Sequence, residues 1–229
     1  DSAGVHLNLG NGFSSAVDWT VDGTCSGIVT EVAMGDIDGD EKSDLYIAFQ
    51  GSDDCVYYTS TANGGNLFDT GVAIGGKIGT TIAVEIVDFN LDGHNDLVRL
   101  IKTSYLQVIF NSGTATPLSS TVNYQSLPIQ SAQAIDVGDL DADGDVDVLV
   151  ATTHEQPDRI YLNNETGGKH NLTLEWTSYH NSFSSKAKIS DIDGDGDLDY
   201  SLGGSIFLNP SMGAIVDSDR DGLDDVDDD

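Results

Sequence analysis

The sequence is poor in basic residues and has no long apolar run. Lysine and arginine number 9 against 39 aspartates and glutamates, so the net charge is -30 at pH 7. This imbalance excludes ordinary nucleic-acid binding, which requires clustered positive charge. No run approaches the roughly 18 apolar residues of a transmembrane helix, which excludes a helical membrane span. Hydrophobic residues still make up 38% of the chain, and this share predicts a folded domain with a packed core.

The sequence also lacks a recognisable catalytic constellation. The five histidines show no metal-ligand spacing, and neither a Gly-x-Ser-x-Gly motif nor a phosphate-binding loop is present. Most carboxylates belong to the repeated acidic segments described next, so no glycosidase-like pair of acids stands out. These absences favour a non-enzymatic protein.

Clustered aspartate is what the chain has in abundance. Of the acidic residues 33 are aspartate, and 25 of these fall in four short segments and the C-terminal tail. Outside these clusters 14 acidic residues face 9 basic ones, which is an ordinary surface balance. A salt-adapted protein would spread its acidic residues over the whole surface. The clustering therefore favours bound cations over adaptation to salt.

The acidic segments repeat with a nearly constant period. Their first residues, separated by 52, 51 and 52 positions, are Asp36, Asp88, Asp139 and Asp191. A second landmark keeps the same spacing at the end of a short apolar segment and comes early in its last copy; its positions are Asn8, Ser60, Asn111, Asn163 and Asn209. Two landmarks with one period indicate a structural repeat.

Each repeat has the pattern of β-strands. Apolar residues alternate before each acidic segment, as Val32 and Met34 do in the first repeat, and β-branched residues follow it. Four strands, here A to D with the acidic loop between A and B, occupy about 50 residues, the size of a propeller blade. The sequence therefore predicts an all-β fold with a β-propeller-type repeat of four-stranded antiparallel blades. About four repeats of 51–52 residues would fill residues 1–210, and residues 211–229 form an acidic tail.

The acidic loops have the composition of calcium sites. Oxygen-bearing side chains recur at positions 1, 3, 5 and 9, and a position-7 carbonyl and a water would complete the six to eight oxygens that Ca²⁺ requires. Glycine at position 6 permits the sharp turn in loops 2 to 4, whereas loop 1 has Glu41 there and Gly39 at position 4. The predicted metal residues are Asp36, Asp38, Asp40 and Asp44 in loop 1; Asp88, Asn90, Asp92 and Asp96 in loop 2; Asp139, Asp141, Asp143, Asp145 and Asp147 in loop 3; and Asp191, Asp193, Asp195, Asp197 and Asp199 in loop 4.

An EF-hand is the main competing interpretation of these loops. It needs a bidentate glutamate at position 12 and flanking helices. Position 12 is Ile47, Arg99, Val150 and Leu202 in the four loops, and the flanking segments are predicted strands. The sequence therefore predicts about four calcium ions bound in loops between strands.

Two segments carry a resemblance to a known family. Residues 137–150, Val-Gly-Asp-Leu-Asp-Ala-Asp-Gly-Asp-Val-Asp-Val-Leu-Val, and residues 9–13, Leu-Gly-Asn-Gly-Phe, resemble the FG-GAP and VCBS repeats of integrin α-chain propellers and of many bacterial secreted proteins. The resemblance implies a calcium-binding propeller in an extracellular or cell-surface protein. It leaves the function open, because such relatives include adhesion receptors, lectins and polysaccharide lyases.

The acidic tail repeats the loop pattern outside the period. Asp217, Asp219, Asp221 and Asp225 occupy positions 1, 3, 5 and 9. The segment resembles thrombospondin type 3-like linkers, which implies a calcium-stiffened linker with one further ion. A disordered acidic tail is the alternative interpretation.

The strand order places the turns on two opposite faces of the predicted propeller. The acidic loops share one face, and the B–C and D–A turns share the other. Cys25, before an A strand, and Cys55, in a predicted B–C turn, fall on that second face, where an extracellular protein is expected to form a disulfide. The resemblance places a ligand there too, with His154, Tyr179 and His180 as candidate contacts and ordinary loop residues as the alternative.

Four repeats are fewer than the seven or so blades usual in this family. The chain is then a fragment of a larger propeller, a small ring closed by its N-terminal strands, or a unit that lends strands to a neighbour. The favoured function is an extracellular, calcium-binding, non-enzymatic module for adhesion or surface assembly, with a protein or glycan of a cell surface or matrix as its partner. The alternatives are a structural subunit of a filament or surface layer that self-assembles by strand exchange, and a polysaccharide-binding or polysaccharide-lyase module.

Overall fold

The computed structural model describes residues 4–6, 10, 12–59, 67–75, 77, 79–102, 105–114, 117–118, 121–153, 156–165, 170–178 and 183–209. These residues form strands, turns and loops without a helix, so none of them lies in a helix long and apolar enough to cross a membrane. Several predicted sites lie outside the described residues: the tail positions Asp217, Asp219, Asp221 and Asp225, the ligand-face residues His154, Tyr179 and His180, and the landmarks Asn8 and Ser60.

A short strand pair precedes four antiparallel sheets. The pair is β1 (Gly4–Val5) and β2 (Trp19–Thr20). Sheet 1 consists of β3 (Ile28–Gly35), β4 (Asp44–Gln50), β5 (Asp54–Tyr57) and β6 (Val72–Ile74). Sheet 2 consists of β7 (Thr81–Val87), β8 (Asp96–Ile101), β9 (Leu106–Ile109) and β10 (Tyr124–Gln125). Sheet 3 consists of β11 (Ala132–Gly138), β12 (Asp147–Thr152), β13 (Arg159–Glu165) and β14 (His170–Thr177), and sheet 4 of β15 (Ala187–Ser190), β16 (Asp199–Leu202) and β17 (Ser205–Phe207).

The strand order within each sheet is the order along the chain. Sheets 1, 2 and 3 each have four strands paired with their sequence neighbours, and sheet 4 has three among the described residues. This confirms the prediction of an all-β chain built from four-stranded antiparallel units. The fourth strand of sheet 1, which the sequence pattern left unclear, is the short segment Val72–Ile74.

The sheets pack face to face through their apolar side chains. The first strands lie side by side, with β3 against β7, β7 against β11 and β11 against β15. The second strands are largely buried, and β8 and β12, which lie between two neighbouring sheets, contain no exposed residue. Three apolar layers result, one between each pair of consecutive sheets. Among the described residues these sheets do not close into a ring, so a closed propeller stays a prediction.

The first repeat departs from the predicted core pattern. Val32 and Met34 alternate as predicted, yet they are 45% and 62% exposed. They lie on the face of sheet 1 that points away from sheet 2, and the residues equivalent to them in later repeats, such as Val84 and Ile86, pack against the preceding sheet. The β1–β2 pair covers the outer strands of that face, where Trp19 packs on Tyr57. The inner part of the face is left exposed by the described residues.

A disulfide joins Cys25 to Cys55, as predicted. The two Cα atoms are 6.3 Å apart, and both residues are buried. Cys55 lies in β5, opposite Ile47 and Ala73, and not in the B–C turn that the sequence indicated. The strand begins one residue earlier because Asp54 already pairs with Ile74. The bridge fastens the segment before β3 to the third strand of sheet 1.

Candidate metal centres

The four acidic loops join the first strand to the second strand of each sheet. Loop 1 comprises residues 36–44, loop 2 residues 88–96, loop 3 residues 139–147 and loop 4 residues 191–199. Because consecutive sheets pack with their first strands side by side, the loops lie at one end of the array. Contacts between loops confirm this placement, since the Asn95 side chain of loop 2 donates to the Asp36 carbonyl oxygen of loop 1 at 2.8 Å.

The backbone of each loop is left-handed at positions 4 and 6. Position 6 has φ values of 89°, 97° and 100° at the glycines of loops 2 to 4, and Glu41 of loop 1 adopts φ 65°. Position 4 is glycine in loops 1 and 4, whereas Leu91 and Ala142 adopt φ 56° and 58° there. A left-handed conformation costs a non-glycine residue about 1–2 kcal/mol. The structure thus confirms the turn that glycine at position 6 predicted and shows a second turn at position 4.

These turns direct backbone N–H groups at the first aspartate of the loop. Asp36 accepts hydrogen bonds from the amides of Gly39 at 2.7 Å and Glu41 at 2.9 Å. Asp139 accepts from the amides of Asp143 at 3.1 Å and Gly144 at 3.0 Å. The loop therefore wraps around the carboxylate at position 1, and the alternate side chains turn toward the same centre.

Three loops bring acidic oxygens together closely enough to share one cation. Carboxylate oxygens from three residues lie within 4.8 Å of one another in loops 1, 3 and 4. The clusters are Asp36, Asp38 and Asp40; Asp139, Asp141 and Asp147; and Asp191, Asp193 and Asp199. Positions 1 and 3 contribute in every case, as predicted. The third member is position 5 in loop 1 and position 9 in loops 3 and 4, so the structure brings together part of each predicted set.

Loops 1 and 2 each contain a departure from this arrangement. In loop 1, Lys42 forms an ion pair with Asp40, and this hydrogen bond lowers the pKa of the Asp40 carboxyl group. In loop 2, whose nine residues are all described, Asn90 stands at position 3 and its side chain bonds to Asp92 through both its oxygen and its nitrogen. No three acidic groups approach within 4.8 Å there. Loops 3 and 4 are therefore the strongest candidate centres.

The aspartate at position 9 has a structural role that the sequence did not predict. Asp44, Asp96, Asp147 and Asp199 are at most 1% exposed. In each of them Oδ2 accepts a hydrogen bond from the backbone amide at position 2, and Oδ1 accepts one from a residue at the end of the third strand. Burial raises the pKa of Asp96 to about 6 and that of Asp147 to about 7.

The donor set fits a hard divalent cation. Only oxygen atoms converge in the three clusters, and Ca²⁺ takes oxygen ligands from carboxylates and carbonyls. Burial and the neighbouring carboxylates raise the pKa of Asp38 and Asp141, because these negative charges repel one another without a cation. In loop 4, Asp197 is 5% exposed, and its Oδ1 accepts no hydrogen bond from the described residues. A bound cation would offset the repulsion between the carboxylates and would give Oδ1 of Asp197 a partner.

The asparagine landmark belongs to the metal loops, a role that its sequence period alone could not reveal. The backbone amides of Asn111, Asn163 and Asn209 are the donors to Oδ1 of position 9, at 2.7–2.8 Å. In the first repeat the same contact comes from Thr59, at 2.7 Å, one residue before the Ser60 that the spacing indicated. The shared period of the landmark and the acidic loops indicated that both belong to one repeat, but it did not indicate this contact.

The opposite end of the array carries the B–C and D–A turns. A surface depression of about 520 Å³ lies between the turn after β4 and the segment before β7. Its lining is polar and consists of Gly51, Ser52, Asp53, Lys77, Gly79 and Thr80. The Lys77 ammonium group already pairs with Asp54 and is 3% exposed, so it offers little positive charge to a ligand.

The sequence matches a known family over more than half of its length. The profile of the FG-GAP-like repeat matches residues 36–99 and 139–201. Each matched segment begins at the first aspartate of an acidic loop and ends in the second strand of the next sheet. A comparison with curated protein sequences finds no significant match.

Solved structures with a similar fold include enzymes and one protein complex. The rhamnogalacturonan lyase of Bacillus licheniformis is 14% identical with a TM-score of 0.53, over 82% of this chain and 41% of the lyase. The exotype rhamnogalacturonan lyase YesX is 12% identical with a TM-score of 0.51, over 86% of this chain and 40% of its own. BBS1N, in its complex with ARL6DN, is 12% identical with a TM-score of 0.50, over 80% and 57% of the two chains. At these identities the likeness concerns the fold alone, and this chain spans less than two thirds of each structure.

Proposed function

Because the chain belongs to the FG-GAP-like repeat family, we propose that it is an extracellular, calcium-stabilised module that binds a partner or assembles on a surface and catalyses no reaction. The observation that carries the proposal is the convergence of three carboxylates in each of three loops at one end of the sheets. The activity of the longer structures named above is not carried over to this chain.

Calcium suits the loops better than other common cations. The ligands are carboxylates and carbonyl groups on a flexible loop, whereas Mg²⁺ demands near-octahedral geometry and keeps its waters. In loops 3 and 4 the residues at positions 1, 3 and 9 would hold the ion. The residues at positions 5 and 7 of the same loop would supply further oxygen ligands. Loop 1 would bind more weakly because Lys42 competes for Asp40, and loop 2 offers one negative charge fewer at Asn90.

An extracellular location is supported by the disulfide and fits the proposed calcium sites. Disulfides form and persist in oxidising compartments. Extracellular modules typically bind calcium with dissociation constants of about 10⁻⁴ to 10⁻³ M, which suits loops whose ligands are held by short turns. Both features fit a protein that folds stably only where calcium is plentiful.

The partner-binding surface is proposed at the end opposite the metal loops. The polar depression beside Ser52 and Asp53 lies there. The sequence predicts that the turns with His154, Tyr179 and His180 belong to the same end. A neutral glycan or a protein loop suits such a surface, because the nearby cations Lys77 and Arg99 are both buried and paired with Asp54. This pairing also argues against an acidic-polysaccharide lyase, although the lyases with a similar fold keep polysaccharide binding as an alternative.

A second candidate function is assembly by strand exchange. In the described residues β17 pairs with β16 along one edge, and no strand occupies the place that β6, β10 and β14 fill in the other sheets. A strand donated by a neighbouring copy would complete this sheet by main-chain pairing. Light scattering in calcium and in EGTA separates the two candidates: a monomer in calcium supports the binding module, and calcium-dependent long assemblies support strand exchange.

Isothermal titration calorimetry tests the metal sites. The protein should take up about four ions, and Asp141→Asn should weaken one of these sites, because loop 3 then lacks the position-3 charge just as loop 2 does with Asn90. The matched control is Asp53→Asn, which removes an exposed carboxylate at the opposite end and should leave the stoichiometry unchanged. Absence of calcium binding at millimolar concentration would overturn the proposal.

A further inference from the structure

The side chains of the landmark asparagines connect neighbouring metal loops. Each asparagine lies near the end of the third strand of its sheet, and its Nδ2 donates to the carbonyl oxygen at position 2 of the loop in the preceding sheet. The donor–acceptor distances are 2.7 Å from Asn111 to Ile37, 3.2 Å from Asn163 to Phe89 and 2.9 Å from Asn209 to Leu140. The same contact is thus made three times between residues about 70 positions apart in the chain.

These contacts are buried and specific. The three asparagines are 3%, 0% and 6% exposed. The Oδ1 atom of Asn163 accepts no hydrogen bond from the described residues, so the side chain contributes its donor to the neighbouring loop and nothing to its own. A buried amide with an unpaired oxygen is costly. The burial also prevents water from replacing the donor, which makes each asparagine an obligatory link between two loops.

The links form one continuous chain of hydrogen bonds through the loops. Asp147 accepts the backbone amide of Asn163 at Oδ1 and the amide of Leu140 at Oδ2. The carbonyl group of Leu140 in turn accepts Nδ2 of Asn209, and the amide of Asn209 bonds to Asp199 of loop 4. The same contacts connect loop 3 to loop 2. The amide of Asn163 bonds to Asp147, its Nδ2 donates to the carbonyl group of Phe89, and the amide of Phe89 bonds to Asp96. The position-9 aspartates of loops 2 to 4 are therefore each connected to the preceding loop through one asparagine.

The geometry of this chain connects the ligands of adjacent centres. Position 2 lies between the ligands at positions 1 and 3, so a hydrogen bond to its carbonyl group fixes the peptide that leads to the position-3 ligand. The asparagine that makes this bond donates its own backbone amide to the position-9 aspartate of the next loop. Ordering one loop around an ion therefore restrains the ligand-bearing peptide of the preceding loop. A second ion that enters a loop already restrained loses less conformational freedom, which gives positive coupling.

We propose that Asn111, Asn163 and Asn209 are positioning residues that couple calcium binding in each acidic loop to calcium binding in the loop of the preceding sheet. The inference rests on the proposed function, since it requires that the loops bind calcium. Loops 2 and 3 give the clearest test, because among the described residues Asn163 makes the one side-chain hydrogen bond found between them. Loops 1 and 2 are joined additionally by Asn95.

The test is a double-mutant cycle read by hydrogen exchange. Calcium is titrated into the full chain, and mass spectrometry follows the exchange protection of peptides from loop 2. Asp141→Asn weakens the site in loop 3, and Asn163→Leu removes the link with a side chain of similar size. In the parent chain Asp141→Asn should raise the calcium concentration for half-protection of loop 2 at least about fivefold, the lower end of typical coupling between sites. In the Asn163→Leu background the same change should shift this midpoint less than about twofold.

The outcomes separate the inference from the function on which it rests. Equal shifts in both backgrounds, or no shift in either, would overturn the coupling while calcium binding stands. Protection that is independent of calcium in every loop of the parent chain would overturn both proposals. The control Asn164→Ala changes the exposed neighbour of Asn163 and should keep the full coupling; loss of coupling in this variant would also contradict the assignment.

A second site guards against misfolding of the Asn163 variant. Asn209 makes the equivalent link from loop 4 to loop 3. Asp193→Asn should raise the calcium midpoint of loop 3 in the parent chain and leave it nearly unchanged in Asn209→Leu. If Asp193→Asn shifts loop 3 equally in both chains, the asparagines carry no coupling.

Discussion

The carboxylate of Asp54 in β5 lies 3.3 Å from the guanidinium group of Arg99 in β8, and both side chains are fully buried between sheets 1 and 2. The same carboxylate pairs with Lys77 and accepts hydrogen bonds of 2.6 Å from the hydroxyl groups of Tyr46 and Thr81. Arg99 completes its contacts with Gln107 and the Gly75 carbonyl oxygen. One buried carboxylate thus pairs with two cations between the two sheets.

Removal of the Asp54 charge should therefore destabilise the fold strongly. Asp54→Asn leaves Arg99 and Lys77 buried without a counter-ion, and breaking such a cluster typically costs about 3–5 kcal/mol. Urea denaturation measures the loss. The neighbouring exposed residue provides the control, since Asp53→Asn should change the free energy of unfolding by less than about 0.5 kcal/mol. Equal stability of the two variants would contradict a structural role for the cluster.

Reduction of the disulfide should loosen the N-terminal part of the structure. The bridge between Cys25 and Cys55 closes a loop of 30 residues, and such a loop typically contributes about 2–4 kcal/mol by restricting the unfolded chain. The double variant Cys25→Ala, Cys55→Ala should lose stability by this amount in denaturant titrations. The parent protein in reducing agent should behave like the variant; a variant as stable as the oxidised protein would show that the bridge has no stabilising effect.

Glycine at the strained position of loop 1 should stabilise the protein. Glu41 has a left-handed backbone at a position where loops 2 to 4 have glycine. Glu41→Gly removes this strain and should raise the free energy of unfolding by about 1 kcal/mol. The reverse change provides the control: Gly196→Ala, at the same position of loop 4, should lower stability by a similar amount, because its φ is 100° and no atom lies within 4 Å of the added carbon. A destabilised Glu41→Gly variant would contradict this account.

The stability should depend on the ionisation of Glu85. Burial raises the pKa of this carboxyl group to about 7, with a further rise from Asp136 on β11 and Glu31 on β3 and an opposing effect from Lys188 on β15. The unfolded chain ionises near pH 4.5 and the folded chain near pH 7, so the folded state binds more protons between these values. Its contribution to stability is complete below about pH 4.5 and is lost as the pH rises to about 7.

Comparison with Glu85→Gln isolates this contribution. The variant should remove on the order of 1 kcal/mol from the pH dependence between pH 4.5 and 7, because solvent screens a half-buried group. Denaturant titrations at several pH values measure it. Identical pH profiles for the two proteins would show that Glu85 ionises at its ordinary pKa in the fold.

The periodic features were predictable from the sequence, and the long-range contacts were not. Asp139 and Asp141 could be assigned to a metal loop because their spacing recurs in four segments and because alternate carboxylates have few other uses. The short strand Val72–Ile74 carries too little pattern to be recognised, since two of its three residues are partly exposed. Its place is fixed by pairing with β5.

The contacts of Asp54 and Asn163 lie beyond sequence reasoning for a different reason. Asp54 meets Arg99 across 45 residues, and only the packing of two sheets brings them together. Asn163 was visible as a landmark, but its acceptor is a backbone carbonyl group 74 residues away, which leaves no mark in the sequence. The exposure of Val32 and Met34 was likewise hidden, because their alternation is identical to that of residues that a preceding sheet buries.

The central claim is that calcium in the acidic loops stabilises this fold, and thermal unfolding by circular dichroism tests it most directly. A site at ten times its dissociation constant adds about 1.4 kcal/mol, so four such sites add about 5–6 kcal/mol, which corresponds to roughly 10–20 °C in a chain of this size. The account predicts that the unfolding midpoint in millimolar calcium exceeds that in EGTA by more than about 10 °C, with a much smaller rise in magnesium. Equal midpoints in calcium and in EGTA would contradict it.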